Sequence, residues 1–333
     1  MKSENPSIVW QSHGIAAIEE RSKPPPAEGE ASLRVLACGL CGTDSHIVKG
    51  EFVGAKPGVV LGHEACAEVV DVGPGVRSLH VGQRVVVDPN RPCGTCVPCL
   101  DGRTHLCLNL TGLGSHSDGL LSQVTTVRAG LCVPVPESVP DEVAALAEPL
   151  ACVLHAFDRS TLRAGEDVAV IGAGPIGLMA AVLARLHGAA SISVYEANSQ
   201  RIERARALGF KADQPNDSRA DTTDVVFECA GAAAAVAYSI KIARRGGRVV
   251  LVGVAAPETE VSFRPFKVFR WELTILGTFT GPYTTRRAVQ VLAADPDRWR
   301  PLVTHVYPLG RFAEAWDIHQ RGQGLKVCIR PND

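Results

Sequence analysis

The sequence predicts an α/β protein of two domains, one mostly β and one built on a doubly wound parallel sheet. Three observations carry that expectation. Short β-like runs at 8–10, 33–36, 67–72, 84–87 and 131–135 are separated by Gly and Pro, which predicts a mostly β domain with its functional residues on loops. From Asp167 onward, apolar strands at 168–171, 192–195, 225–227, 248–252 and 273–277 alternate with helical stretches. Such alternation requires a parallel sheet covered on both faces. A glycine turn follows the first of these strands directly.

The chain of 333 residues is long enough for two ordinary domains. With 46% hydrophobic residues and a net charge of -1, it reads as a soluble globular protein. Nothing in that balance forms a footprint for nucleic acid or an acidic membrane. Residues 1–6 lack the apolar core of a signal peptide, and no uncharged apolar run reaches the roughly 18 residues of a membrane span. A cytoplasmic location is therefore expected, and there the eleven cysteines suit metal ligation or buried thiols better than disulfides.

The mostly β domain holds two candidate metal sites. Cys93-x2-Cys96-x2-Cys99-x7-Cys107 offers four thiolates at spacings that close a tetrahedral zinc shell with no position left for water. An iron–sulfur cluster is the competing occupant. Arg91 and Arg103 are expected to offset the sulfur charge. The second site is Cys41-Gly42-Thr43-Asp44-Ser45-His46 with Gly62-His63-Glu64. Cys41, His63 and one carboxylate make the mixed shell of an open, catalytic zinc. Glu64 and Glu148 compete for the third place. Neighbours on one strand point to opposite faces, which favours Glu148 and puts Glu64 behind the metal. Thr43 and His46 are placed to move a proton.

The glycine turn is Gly172-Ala173-Gly174-Pro175-Ile176-Gly177, lying between a strand and a helix, as a dinucleotide fingerprint requires. Glu196 follows some twenty residues later, where a carboxylate binds both ribose hydroxyls and repels a 2′-phosphate. NAD is expected for that reason, with Arg201 able to swing towards a phosphate instead.

Taken together, these motifs resemble the zinc-dependent medium-chain alcohol dehydrogenases, in the branch of sorbitol-type and threonine dehydrogenases. The resemblance also covers Gly102 to Cys107, Glu148-Pro149 and the closing Gly322 to Val327. It implies a GroES-like catalytic domain over 1–152, completed by 289–333, with a Rossmann domain over 153–288. It implies two zinc ions per chain, NAD, and a homodimer or homotetramer. Hydride passes from a polyol, sugar-like or amino alcohol to nicotinamide, while the proton leaves from Thr43 through the cofactor ribose to His46. L-threonine 3-dehydrogenase activity is the alternative within the class, and a non-enzymatic nucleotide-binding relative the alternative outside it. Ala67 stands where the family pattern has glycine, and Thr280 where polyol members carry arginine. Phe52, His116 and Phe279 are candidate pocket walls.

Overall fold

The computed structural model describes residues 5–23, 25–216 and 221–333. The chain forms two compact units, Met1–Ala151 with Pro282–Asp333, and Cys152–Gly281. The return to the first unit comes at Pro282 rather than after the expected 288. Helix Thr285–Ala294 belongs to that unit: Thr284 Oγ1 donates to the Ala151 carbonyl (2.8 Å) and Thr285 Oγ1 to Asp88 (3.0 Å).

The first unit is organised on a seven-stranded sheet. In order across it lie Val303–Pro308, Lys326–Arg330, Glu30–Gly39, Glu64–Val72, Arg84–Val87 and Cys132–Pro134, while Val124–Arg128 also pairs with Glu30–Gly39. The two longest strands, Glu30–Gly39 and Glu64–Val72, run antiparallel and shift register twice. Such bulges bend a strand and aim its side chains. Their apolar residues, with Leu33, Val35, Ala67 and Val69 fully buried, form the centre of this unit's core. Two pairings matter for the site: Gly39 lies opposite Glu64 on one side and Cys328 on the other.

The second unit has a six-stranded, all-parallel sheet ordered Lys211–Asp213, Ser191–Tyr195, Asp167–Ile171, Thr223–Glu228, Ala243–Leu251 and Thr274–Gly277. Its first strand in sequence, Asp167–Ile171, sits in the middle, with the next two strands to one side and the last three to the other. Ligands of such sheets bind beyond the strand carboxyl ends where the order reverses. Val168 to Ile171 are all buried, as a strand covered on both faces must be. The alanine-rich helix Ala233–Ile242 runs straight into the next strand, to which residues 243–247 already belong. Gly246 (φ 71°) lets that strand bulge between its Thr223–Ala243 and Val225–Arg248 pairings. Among the described residues no helix is long and apolar enough to cross a membrane.

Candidate functional site

Cys41, His63 and Glu64 present donor atoms that all lie within 4.8 Å of one another. Cys41 precedes the short helix Gly42–Val48, and Glu64 opens the strand Glu64–Val72. His63 and Glu64 reach the same place because His63 lies before the strand begins, just after Gly62 at φ 90°. The opposite-faces rule applies only within a strand, which is why it wrongly set Glu64 apart from His63. Glu148, on helix Ala147–Ser160, does not join this closest set. It lies near enough for its charge to interact with those of His63, Glu64 and Asp88. Burial, reinforced by Glu64 and Asp88, pushes the Glu148 carboxyl up to about 7.

The groups behind this set fix it in place. Asp44, fully buried, accepts from the Cys41 amide (2.9 Å) and the Gly62 amide (3.2 Å), and its Oδ1 stands 3.6 Å from His63 Nδ1. One carboxylate thus ties both loops together and orients the imidazole, as outer partners of metal-binding histidines do. Burial works against charge on both groups. His63 nevertheless holds Asp44 below the usual carboxylate range, while Cys41 and Asp44 raise the imidazole well above its ordinary pKa. Lys326, also buried, donates to Glu64 Oε2 at 2.5 Å and to the Leu40 carbonyl at 3.2 Å. Burial disfavours its charge, but Glu64 and Cys41 outweigh that and raise the ammonium pKa. The ion pair lies across Gly39, where a Cβ would collide with Glu64 Oε2 and approach Lys326 Cδ to 3.0 Å.

His319, on helix Phe312–Gln320, places Nε2 3.1 Å from both the Cys41 carbonyl and Ser45 Oγ, so a C-terminal helix braces the start of the Cys41 helix. Thr43 is partly buried on that helix. His46 is exposed and bonds Glu51 Oε2 through Nδ1 at 2.7 Å, which holds the Glu51 carboxyl below its usual range. Asp44, Lys326 and His319 had no role assigned from sequence. Lys326 did carry a signal, since a lysine inside the apolar run 325–329 has to find a buried counter-charge.

The donor chemistry fits zinc at both places. Sulfur, imidazole and carboxylate match an open zinc shell, whose bonds of about 2.0–2.3 Å would set ligand atoms about 3.3–3.8 Å apart, inside the limit these donors keep. The four sulfurs of Cys93, Cys96, Cys99 and Cys107 also lie within 4.8 Å of one another. Cys96 Sγ is 3.4 Å from Cys99 Sγ and 3.8 Å from Cys107 Sγ, close to the edge of about 3.8 Å that a ZnS4 tetrahedron requires. Backbone amides of Cys96, Cys93 and Asn109 donate to the sulfurs of this lobe. Bonds from Thr95 and Cys96 draw the Cys93 thiol down to about 5. The arginines expected to offset the sulfurs bond elsewhere: Arg91 to Ser117 (3.0 Å) and Arg103 to Asp101 (2.7 Å).

In the second unit the fingerprint turn sits at the carboxyl end of Asp167–Ile171. Gly172 takes φ 101°, and a Cβ on Gly177 would collide with the Gly172 carbonyl. Gly174, by contrast, has open space where its Cβ would be, as close approach of a pyrophosphate requires. Pro175 and Ile176 open helix Pro175–Leu186. Glu196 accepts from Ala173 N (2.9 Å) and Asn198 N (2.9 Å), and Arg201 Nη1 lies 3.9 Å from its Oε2. A cavity of about 530 Å³, lined by Gly172, Glu196, Ala230 and Tyr238 among others, opens beside them.

Of the candidate pocket walls, Phe52 packs on the first unit's core and meets His116 edge-on at 5.9 Å. His116 and Phe279 are exposed, and Thr280 holds φ 53° with its buried Oγ1 lacking a hydrogen-bond partner.

Comparison with known proteins gives the family. Residues 27–137 match the alcohol dehydrogenase GroES-like domain, and 175–294 the zinc-binding dehydrogenase family. The sorbitol dehydrogenase of Halalkalibacterium halodurans is 32% identical, over 98% of this chain and 99% of its own. The chain belongs to the zinc-dependent medium-chain alcohol dehydrogenases. It is an oxidoreductase of their sorbitol dehydrogenase-like branch, with a GroES-like unit and a Rossmann unit. Bos taurus sorbitol dehydrogenase is 34% identical over 100% of this chain and 98% of its own. Among solved structures of the family, a zinc-binding dehydrogenase from Sinorhizobium meliloti 1021 bound to NADP superposes with a TM-score of 0.93. It is 34% identical and the match covers 99% of this chain and 100% of that one.

Proposed function

We propose that this dehydrogenase oxidises a secondary alcohol of a polyol or sugar-like compound, with NAD as hydride acceptor and two zinc ions per chain. The observation that carries the reading is the Cys41–His63–Glu64 set, its histidine and glutamate buried and its cysteine half-buried, with its own braces, Asp44 and Lys326. The full-length likeness to sorbitol dehydrogenases narrows the alcohol. In this reading Cys41, His63 and Glu64 hold the catalytic zinc, with Glu148 as a facing acid, and Cys93, Cys96, Cys99 and Cys107 hold the structural one. Bound zinc supplies Lewis-acid polarisation of the alcohol oxygen, and bound nicotinamide accepts hydride. The proton leaves by Thr43 and His46, where Glu51 orients the imidazole and solvent takes the proton up. Gly172, Gly174, Pro175, Ile176 and Gly177 seat the pyrophosphate, and Glu196 takes the ribose hydroxyls. Arg201, 3.9 Å from Glu196, is the group that would serve a 2′-phosphate.

Cys41→Ala tests the metal role: turnover should vanish and zinc fall from about two to about one per chain, while NADH binding stays measurable. Retained turnover would end the reading. Rates with diverse secondary alcohols and with threonine, each run with NAD and NADP, test the substrate and cofactor. Faster turnover of threonine than of any polyol would move the assignment to the amino-alcohol branch. A strong NADP preference would remove Glu196 from its role. We further propose a cytoplasmic homodimer or homotetramer. Eleven cysteines without a disulfide suit a reducing compartment. The edge strand Thr274–Gly277, beside exposed Phe266 and Phe269, supports association through the second unit. Sedimentation of the purified chain checks the oligomer.

A further inference from the structure

Among the described residues of the second unit Glu228 is the one acid with no exposed surface, and none of the chemistry above uses it. It ends strand Thr223–Glu228, between Ile171 on one neighbouring strand and Leu251 on the other. Its Oε1 accepts from the amides of Ala230 (2.8 Å) and Gly231 (2.9 Å). Its own carbonyl accepts from Val252 N and Gly253 N, both at 2.8 Å. One residue therefore holds two loops at the carboxyl edge of the sheet. Those loops meet backbone to backbone: a Cβ on Gly231 would collide with the Val254 carbonyl, and one on Gly253 with the Gly231 amide. The same arrangement sets Ala230 against Gly172, with Ala230 N and Cβ both 3.2 Å from where a Cβ on Gly172 would lie. Ala230 and Ala232 then line the cavity opposite Glu196.

Holding this geometry has a cost. Glu228 Oε2 is buried with no hydrogen-bond partner, and burial raises the carboxyl pKa against the two amides that lower it. A buried polar atom left unpaired requires an explanation, and positioning a ligand wall is one. We propose that Glu228 is a positioning residue for the dinucleotide: by fixing the Ala230–Gly231 amides it holds the cavity wall that faces Gly172 and Glu196. This rests on the reading of that cavity as the nicotinamide cofactor site.

The test compares Glu228→Gln with Glu228→Met in the zinc-loaded enzyme. Both fill the buried space, but only glutamine keeps an acceptor for the two amides. Glutamine should leave the NADH dissociation constant within about threefold of wild type, and methionine should weaken it about tenfold or more, the worth of the lost bonds. The KM for NAD should rise in the methionine variant with kcat and zinc content unchanged. Equal affinity in wild type and the methionine variant, or equal weakening in both variants, overturns the role. Should the methionine variant not fold, hydrogen exchange in the wild type decides. Slow exchange at 230 and 231 without cofactor supports the role, and exchange as fast as in an exposed loop overturns it. A wild type that binds no dinucleotide would instead overturn the cofactor reading itself.

Discussion

At the scale of single residues, the most constrained group is the Glu64–Lys326 pair lying over Gly39. Lys326→Met leaves a buried carboxylate without its counter-charge, so urea unfolding of the metal-free chain should show a loss of about 3–5 kcal/mol. Adding zinc should narrow that deficit, because the ion supplies the missing positive charge next to Glu64. Gly39→Ala pushes on the same carboxylate and should cost about 1–3 kcal/mol, the usual range for overpacking. Thiol reactivity gives an independent check on burial. Cys66, Cys132 and Cys328 are pushed up to about 12 by desolvation, so at pH 8 they stay protonated. A thiol reagent should leave the buried Cys66 and Cys328 untouched in the native protein, react slowly with the half-buried Cys132, and reach all eleven cysteines in denaturant. Native reaction at Cys66 would contradict its position between Arg84 and Asp141. The sequence made Cys41, His63 and the four-cysteine lobe legible because thiol and imidazole spacing is itself the signal. Asp44 and His319 were not legible as braces, since their role depends on which loop folds against which.

At the scale of elements, the fingerprint turn separates two uses of glycine. Gly177 is needed by the fold, because a side chain there meets the Gly172 carbonyl, whereas Gly174 faces open space. Gly177→Ala should lower the melting temperature and remove NADH binding together. Gly174→Ala should leave the melting temperature in place and weaken NADH binding by about tenfold, since only the approach of the pyrophosphate is obstructed. Equal melting losses in both variants would refute this division. Alternation of strands and helices made five of the six parallel strands readable in advance, because a buried parallel strand has to be continuously apolar; the edge strand Lys211–Asp213, short and polar, carries no such signal. The limit of such rules shows at His63 and Glu64. Alternation of faces fails once Gly62 takes a positive φ and the strand begins one residue later than the motif.

At the scale of the molecule, the proposed reading gives each unit its own ligand chemistry, and the two should respond separately to its removal. On the proposed zinc reading of the Cys93–Cys107 lobe, a chelator should raise hydrogen exchange over residues 90–112, because the ion would hold that segment together. NADH binding by residues 152–281 should survive that treatment; its loss would show that the units do not stand alone. The order of the chain adds a consequence of the strand Lys326–Arg330, which lies inside the first unit's sheet beside Glu30–Gly39. During synthesis the entire second unit is complete before that strand exists. The first unit's sheet therefore waits, with Glu64 unpaired and the metal set unbraced, until the last element arrives. Metal capture becomes a late event in the life of each new chain. A chain cut short before Lys326 should still hold NADH while showing no zinc-dependent turnover.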